Sequence, residues 1–179
     1  MSKDWSATIQ EISSGALGSG KLLRLKVLGN SMSPLLETGD DVLVGSVEEN
    51  QLKRGVLVVV RAQDEFLTHR LIGRNSSGWL TKGDNCRWLD PPSPAIVGQV
   101  VALERRGRPV DLRASYWRWA NALLGRIGAW QAHFLQAVAF AGKHWSPAPA
   151  GKRTFPERAF ARLAGIPFRI AVHILIPRR

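Results

Sequence analysis

The sequence predicts a mainly β fold with an α-helical C-terminal extension, and three observations predict it. Between residues 21 and 112, short runs of alternating or β-branched apolar residues recur, bounded by turn-forming residues. Beyond residue 112 the apolar pattern changes from period two to the helical period. At the same place the charge changes: residues 1–112 hold 14 Lys and Arg against 13 Asp and Glu, whereas residues 113–179 hold 11 basic residues and one acid, Glu157. Of the net +11, the tail therefore carries +10. With 45 % hydrophobic and 22 % charged residues in 179, the chain is neither disordered nor fibrous and is long enough to bury a core. The expected organisation is an N-terminal segment 1–20, a β unit 21–112 built as a coiled sheet or open barrel, and a basic, Trp-rich, amphipathic helical tail 113–179.

Each element follows from its residues. Residues 1–20 make a short helix at best, ended by Ser13, Ser14, Gly15, Gly18 and Gly20. Leu23, Leu25 and Val27 alternate with Arg24 and Lys26, the pattern of a half-buried strand. Residues 41–47 and 56–61 are β-branched runs entered through the turns Thr38-Gly39-Asp40 and Lys53-Arg54-Gly55. Residues 65–73 alternate again, with Leu67, His69 and Leu71 on one face and Phe66, Thr68, Arg70 and Ile72 on the other. Residues 79–82, 96–104 and 110–112 complete the strands, and Pro91-Pro92-Ser93-Pro94 makes a rigid loop among them. On a helical wheel of 119–141, Leu123, Leu124, Ile127, Trp130, Phe134, Leu135 and Val138 fall in one half, while Asn121, Arg126, His133 and Gln136 oppose them. Residues 156–176 form a second such helix, with Arg158, Arg162, Arg169 and His173 in one stripe and Pro167 as a kink.

Cys86 stands alone, so no intrachain disulfide forms and no zinc site with two thiolates is possible. The first twenty residues lack the apolar region of a signal peptide or membrane anchor. The longest apolar stretch, 119–142, is interrupted by Arg126, Gln131, His133 and Gln136.

Three segments bear on chemistry. The first is Gly29-Asn30-Ser31-Met32-Ser33-Pro34, followed by Gly39-Asp40 and a strand. The second is Thr68-His69-Arg70-Leu71-Ile72-Gly73, and the third is Thr81-Lys82-Gly83-Asp84-Asn85 with Asp90 six residues after Asp84. A serine hydroxyl becomes a nucleophile only when a base takes its proton, and histidine does this near neutral pH without a large pKa shift. His69 is the one histidine before residue 113. Lys82 and Lys53 are rival bases that would first need desolvation.

In this order and spacing the three segments, over about Leu25–Leu103, resemble the signal peptidase I family and its LexA-like relatives. The resemblance implies a serine endopeptidase with Ser31 as nucleophile. Histidine where most bacterial members have lysine resembles the endoplasmic-reticulum and archaeal subtype and makes His69 the general base. Asp90 and Asp84 match the acidic positions of the third motif, Asp90 as the partner orienting His69 and Asp84 as a supporting residue. Met32 and Pro34 are expected to line the substrate cleft, and the substrate to be an extended peptide with small residues such as Ala before the cut. No cofactor or metal is called for. Many lysine-type relatives place a hydroxyl two residues before the nucleophile as an oxyanion donor; here that position is Gly29. The chain departs from the family in lacking its N-terminal anchor, and the LexA-type DNA-binding helices have no room in residues 1–20.

The tail pairs large apolar faces with basic polar faces and Trp at their borders, which suits a helix lying in an anionic membrane interface. The expectation is a peripheral membrane enzyme, by default on the cytoplasmic face given the lone thiol and absent export signal. The other reading of the tail is that its apolar faces pack on the β unit or on each other, with the charge solvated. Two alternatives stand beside the membrane enzyme. One is a catalytically silent peptide-binding or scaffolding module on the same fold; the other is nucleic-acid binding through the tail, for which there is charge but no groove-reading motif.

Overall fold

The computed structural model describes residues 20–62 and 65–145. It has seven strands, all paired antiparallel in one sheet, and one long helix: β1 (Leu23–Lys26), β2 (Asp41–Gly45), β3 (Leu57–Ala62), β4 (Glu65–Asn75), β5 (Gly78–Lys82), β6 (Ile96–Arg105), β7 (Arg108–Asp111) and α1 (Ser115–Trp145). A 3-10 turn at Glu49–Gln51 precedes β3. The strand order is β1-β2-β6-β3-β4-β5, with β7 also on β6. The sheet is open, with β1 and β5 at its ends, rather than closed into a barrel. The expected N-terminal segment and the second tail helix lie outside the described residues.

Strand β6 is the spine. One edge pairs with β2 from Gln99 to Glu104; the other pairs first with β3, over Ile96–Gln99, and then with β7, over Ala102–Arg105. Register shifts at Leu43/Val44 and Val59/Val60 bend the strands on either side of it. The curvature lets the sheet bury side chains on both faces. Leu57 and Val59 point into the main core with Val42, Val44, Val100 and Leu103, while Val58 and Val60 point into a second cluster with Leu71 and Trp79. A strand buried on both faces must be apolar at consecutive positions, which explains the unbroken run 56–60. On β4, Leu67 joins the second cluster and Phe66 the first, so the predicted two-faced alternation is what the strand uses.

The change of charge at residue 112 is not a change of packing. Leu112, Ala120 and Leu124 belong to the main core, and Trp117, Leu123 and Ile127 pack against it. Helix α1 lies close on the turn before β3. A Cβ at Gly55, where φ is +99°, would stand 2.0 Å from the Asn121 carbonyl oxygen, and one at Gly125 would stand 2.5 Å from Gly55 Cα. Only glycine at both positions allows that approach. The buried face of α1 thus runs through small residues, with Ala120, Asn121, Leu124, Gly125 and Gly128 buried. The wheel's polar half therefore holds a packed residue, Asn121, and its apolar half holds two exposed ones, Trp130 and Phe134. Trp130 is 55 % exposed, and it stacks on the exposed Phe134 at 5.5 Å. The small side chains win the packed face because the helix backbone must reach Gly55.

Candidate active site

The Ser31 segment is a tight turn between β1 and β2. Ser33 N–H donates to the Asn30 carbonyl at 3.1 Å and Leu36 N–H to the Met32 carbonyl at 3.1 Å. Its far end is pinned by the Gly-Asp pair. Gly39 adopts φ +96°, and the Asp40 carboxylate accepts from Glu37 N–H at 2.8 Å and from Arg105, whose Nη2 also reaches the Leu35 carbonyl at 3.0 Å. Burial alone would push the Asp40 carboxyl up. The hydrogen bonds from Arg105 and Glu37 N–H and the Arg105 charge outweigh it and hold that carboxyl below its ordinary range.

Strand β4 and the segment after β5 bring the other groups to this turn. His69 is 3 % exposed. Its Nε2 lies 2.9 Å from Ser31 Oγ, and its Nδ1 lies 2.6 Å from Asp90 Oδ2. An ionised carboxylate only accepts, so Nδ1 bears the proton and the Nε2 lone pair faces the serine hydroxyl. Asp90 is fixed in turn: Thr81 Oγ1 donates to Oδ2 at 2.7 Å, and Asp90 N–H donates to the Thr81 carbonyl at 2.9 Å. Ser31, His69 and Asp90, separated by 38 and 21 residues in the chain, form one continuous hydrogen-bonded row.

Asp84 faces elsewhere. Its carboxylate takes two hydrogen bonds from Arg70, Nε to Oδ1 at 2.7 Å and Nη2 to Oδ2 at 2.6 Å, with both side chains 1 % exposed. Arg70 Nη1 also donates to the Gly55 carbonyl at 2.6 Å and to Asn121 Oδ1 at 2.7 Å. Met32 is a core side chain, 2 % exposed, and its sulfur accepts the Asp84 N–H at 3.4 Å. It therefore does not line an open cleft, because its place under the turn is filled by packing. Pro34, half-buried after a cis Ser33–Pro34 bond, remains near the surface.

Gly83 is the closest point between these parts. A Cβ there would lie 2.7 Å from the Ser31 carbonyl, 2.7 Å from Cys86 Sγ and 3.0 Å from His69 Nε2. The next residue but one, Asn85, donates its N–H to the same Ser31 carbonyl at 2.8 Å. Sequence reasoning did not single out Thr81, Arg70, Gly83 or Asn121 for these roles. The one signal in the sequence is Arg70, a charged side chain sharing a strand face with Phe66 and Ile72; Asn121 lies on the polar half of the wheel and gives none. Gly29 brings no side chain to the site, and its carbonyl accepts from Thr38 Oγ1 at 3.3 Å.

Lys82, one of the rival bases, is buried on the Arg70 side of β5 and donates to the Gly83 carbonyl at 3.2 Å. Burial holds its ammonium below the ordinary value of 10.5, against the raising effect of Asp84. Between the folded value and 10.5 the unfolded chain binds more protons, so stability rises with pH there; below the folded value the full penalty persists. Melting temperature measured from neutral pH towards 10.5 is therefore expected to climb more in the wild type than in Lys82→Met. Parallel curves would show that Lys82 is not depressed. Among the described residues, no group of three or more His, Cys, Asp or Glu side chains is placed to hold a metal ion.

A family model, described as peptidase S24-like, matches residues 6–104, more than half of the chain. No curated protein and no solved structure matches.

Proposed function

The chain belongs to the peptidase S24-like family, and from that premise we propose that it is a serine endopeptidase of the histidine-base subtype, with Ser31 as nucleophile, His69 as general base and Asp90 as the carboxylate that orients His69. The observation that carries this reading is the row Ser31 Oγ–His69 Nε2–Asp90 Oδ2 at 2.9 and 2.6 Å. In the first step Ser31 Oγ attacks the scissile carbonyl carbon while its proton passes to Nε2. The imidazolium, steadied by Asp90, then returns the proton to the leaving amine as the C–N bond breaks. Water, deprotonated by the same Nε2, hydrolyses the acyl-serine. Ser31 N–H is the first oxyanion donor.

The substrate is read as an extended peptide with small residues before the cut. Two exposed apolar side chains flank the site along the chain, Leu28 (81 % exposed) three residues before Ser31 and Trp88 two residues before Asp90. They suit an apolar peptide rather than a charged small molecule. A silent peptide-binding module would not need Ser31 and His69 at hydrogen-bond distance, and 2.9 Å weighs against it. The test is cleavage of a defined mixture of short unstructured peptides, read by mass spectrometry, by the wild type and by Ser31→Ala. Equal cleavage by both would overturn the assignment.

The reading extends to location. No helix among the described residues is long and apolar enough to cross a membrane. The outward side of α1 exposes Tyr116, Trp119, Trp130 and Phe134 beside Arg126, in a tail of net +10. Aromatic side chains at a basic border are the composition of a helix resting on an anionic leaflet, cytoplasmic by default. The full chain is expected to float with phosphatidylserine-containing vesicles, and Trp119→Ser/Trp130→Ser to float several-fold less. Equal flotation of the two proteins, or none by the wild type, would refute this location.

A further inference from the structure

We propose that Asn121, on the tail helix, is a positioning residue for the catalytic loop, so that helix α1 is part of the active-site machinery as well as its attachment. The inference rests on the peptidase reading for its consequence, but its physical basis is independent of it. Arg70 follows His69 on β4 and points to the opposite face of the sheet, into the core that α1 covers. There it is 1 % exposed and uses four N–H groups: two hold Asp84, one holds the Gly55 carbonyl and one holds Asn121 Oδ1.

Each partner lies in a different part of the fold. Gly55 belongs to the turn on which α1 lies, and Asn121 belongs to α1 itself, 4 % exposed beside the fully buried Ala120 and Leu124. Asp84 belongs to the loop after β5. Its neighbour Gly83 packs against the Ser31 carbonyl and His69 Nε2, and its neighbour Asn85 holds the Ser31 carbonyl through a 2.8 Å hydrogen bond. The connection is therefore physical and short: Asn121 fixes the Arg70 fork, the fork fixes Asp84, and the 83–85 loop fixes Ser31 against His69. A guanidinium is planar and its donors are rigidly related, so losing one of the two acceptors on Nη1 leaves that side held by the Gly55 carbonyl alone and loosens the two donors aimed at Asp84.

The experiment compares the full-length wild type, Asn121→Ala and Asn121→Asp by hydrogen exchange and by peptide cleavage. In Asn121→Ala the amides of 83–86 are expected to exchange roughly tenfold faster while β6 keeps its protection, the effect of losing one charge-assisted hydrogen bond. The kcat falls by about the same factor with KM unchanged. Asn121→Asp keeps an acceptor oxygen in place and restores both. Unchanged exchange at 83–86 in Asn121→Ala, an equal loss of protection in β6, or no rescue by Asn121→Asp would each overturn the proposal. Should Asn121→Ala not fold, Asn121→Ser, whose hydroxyl is too short to reach Nη1, is read in the same way. Failure of both to fold also overturns it, since Asn121 would then support the core and not the loop. Exchange alone decides the coupling. Absence of cleavage by the wild type would instead count against the peptidase reading, and the two failures are distinguishable.

Discussion

Ser31→Ala is expected to remove peptide cleavage, by at least ~10³-fold in kcat, with the fold and melting temperature nearly unchanged. Ser31 Oγ is bonded to His69 Nε2 and stands at the edge of the turn, so its loss leaves no buried group without a partner except Nε2 itself. His69→Ala is expected to cost as much, because the hydroxyl then has no acceptor for its proton. The double variant should be no worse than either single one, since groups that act as a unit do not add. Asp90→Asn is the sharper probe. The amide can offer Nδ2–H to Nδ1, which turns the imidazole to the tautomer with Nε2 protonated and removes the base; kcat is expected to fall by about 10²–10⁴. Thr81 Oγ1 faces the same carboxylate oxygen as His69 and can accept the second Nδ2–H of the amide, so this loss should come without unfolding. Peptide cleavage by Ser31→Ala at the wild-type rate would refute the nucleophile, and wild-type turnover by Asp90→Asn would remove Asp90 from the mechanism.

The reading from sequence and the structure agree where the physics is local and part where it is not. Strands announce themselves by period two and by their turns, so β1 to β7 lie within a few residues of where the alternation placed them. The even alternation of residues 65–73 also places Leu67 and Phe66 in different clusters, as the structure has them. Helix α1 is different. Its period identifies a helix, but a wheel ranks faces by hydrophobicity and cannot know that two glycines, 70 residues apart, must touch. Close approach selects Gly125 for the packed face, where Ala120 and Gly128 are buried too, and leaves Trp130 outside. Likewise the break in charge at residue 112 carries no information about where the core ends: Arg113, Arg118 and Arg126 are exposed, while Ala120 and Leu124 on α1 are core residues. The motif residues Ser31, His69, Asp90 and Asp84 could be named from the sequence, but the Arg70–Asn121 bond spans 51 residues and has no pattern.

Arg70→Met is expected to destabilise the folded state by about 3–5 kcal/mol, close to the whole stability of a marginal domain. The reason is what it leaves behind. Asp84 is 1 % exposed and takes two short hydrogen bonds from Arg70, so removing the guanidinium strands a carboxylate that water cannot reach. The Gly55 carbonyl and Asn121 Oδ1 lose their donors as well. Asp84→Leu should cost a similar amount by stranding the cation instead. The informative comparison is the double variant Arg70→Met/Asp84→Leu. Two apolar side chains need no partners, so it is expected to be more stable than Arg70→Met alone, although short of the wild type because the carbonyl of the Gly55 turn and the amide of α1 remain unpaired. Denaturant unfolding of the four proteins measures the coupling. If the double variant is as unstable as the sum of the single ones, the charges do not act as a pair, and the 2.6 Å contact contributes packing and not electrostatics. If it recovers stability but not peptide cleavage, the pair's value lies in holding the 83–85 loop against Ser31: an apolar core can replace the energy of a fork of hydrogen bonds but not its direction.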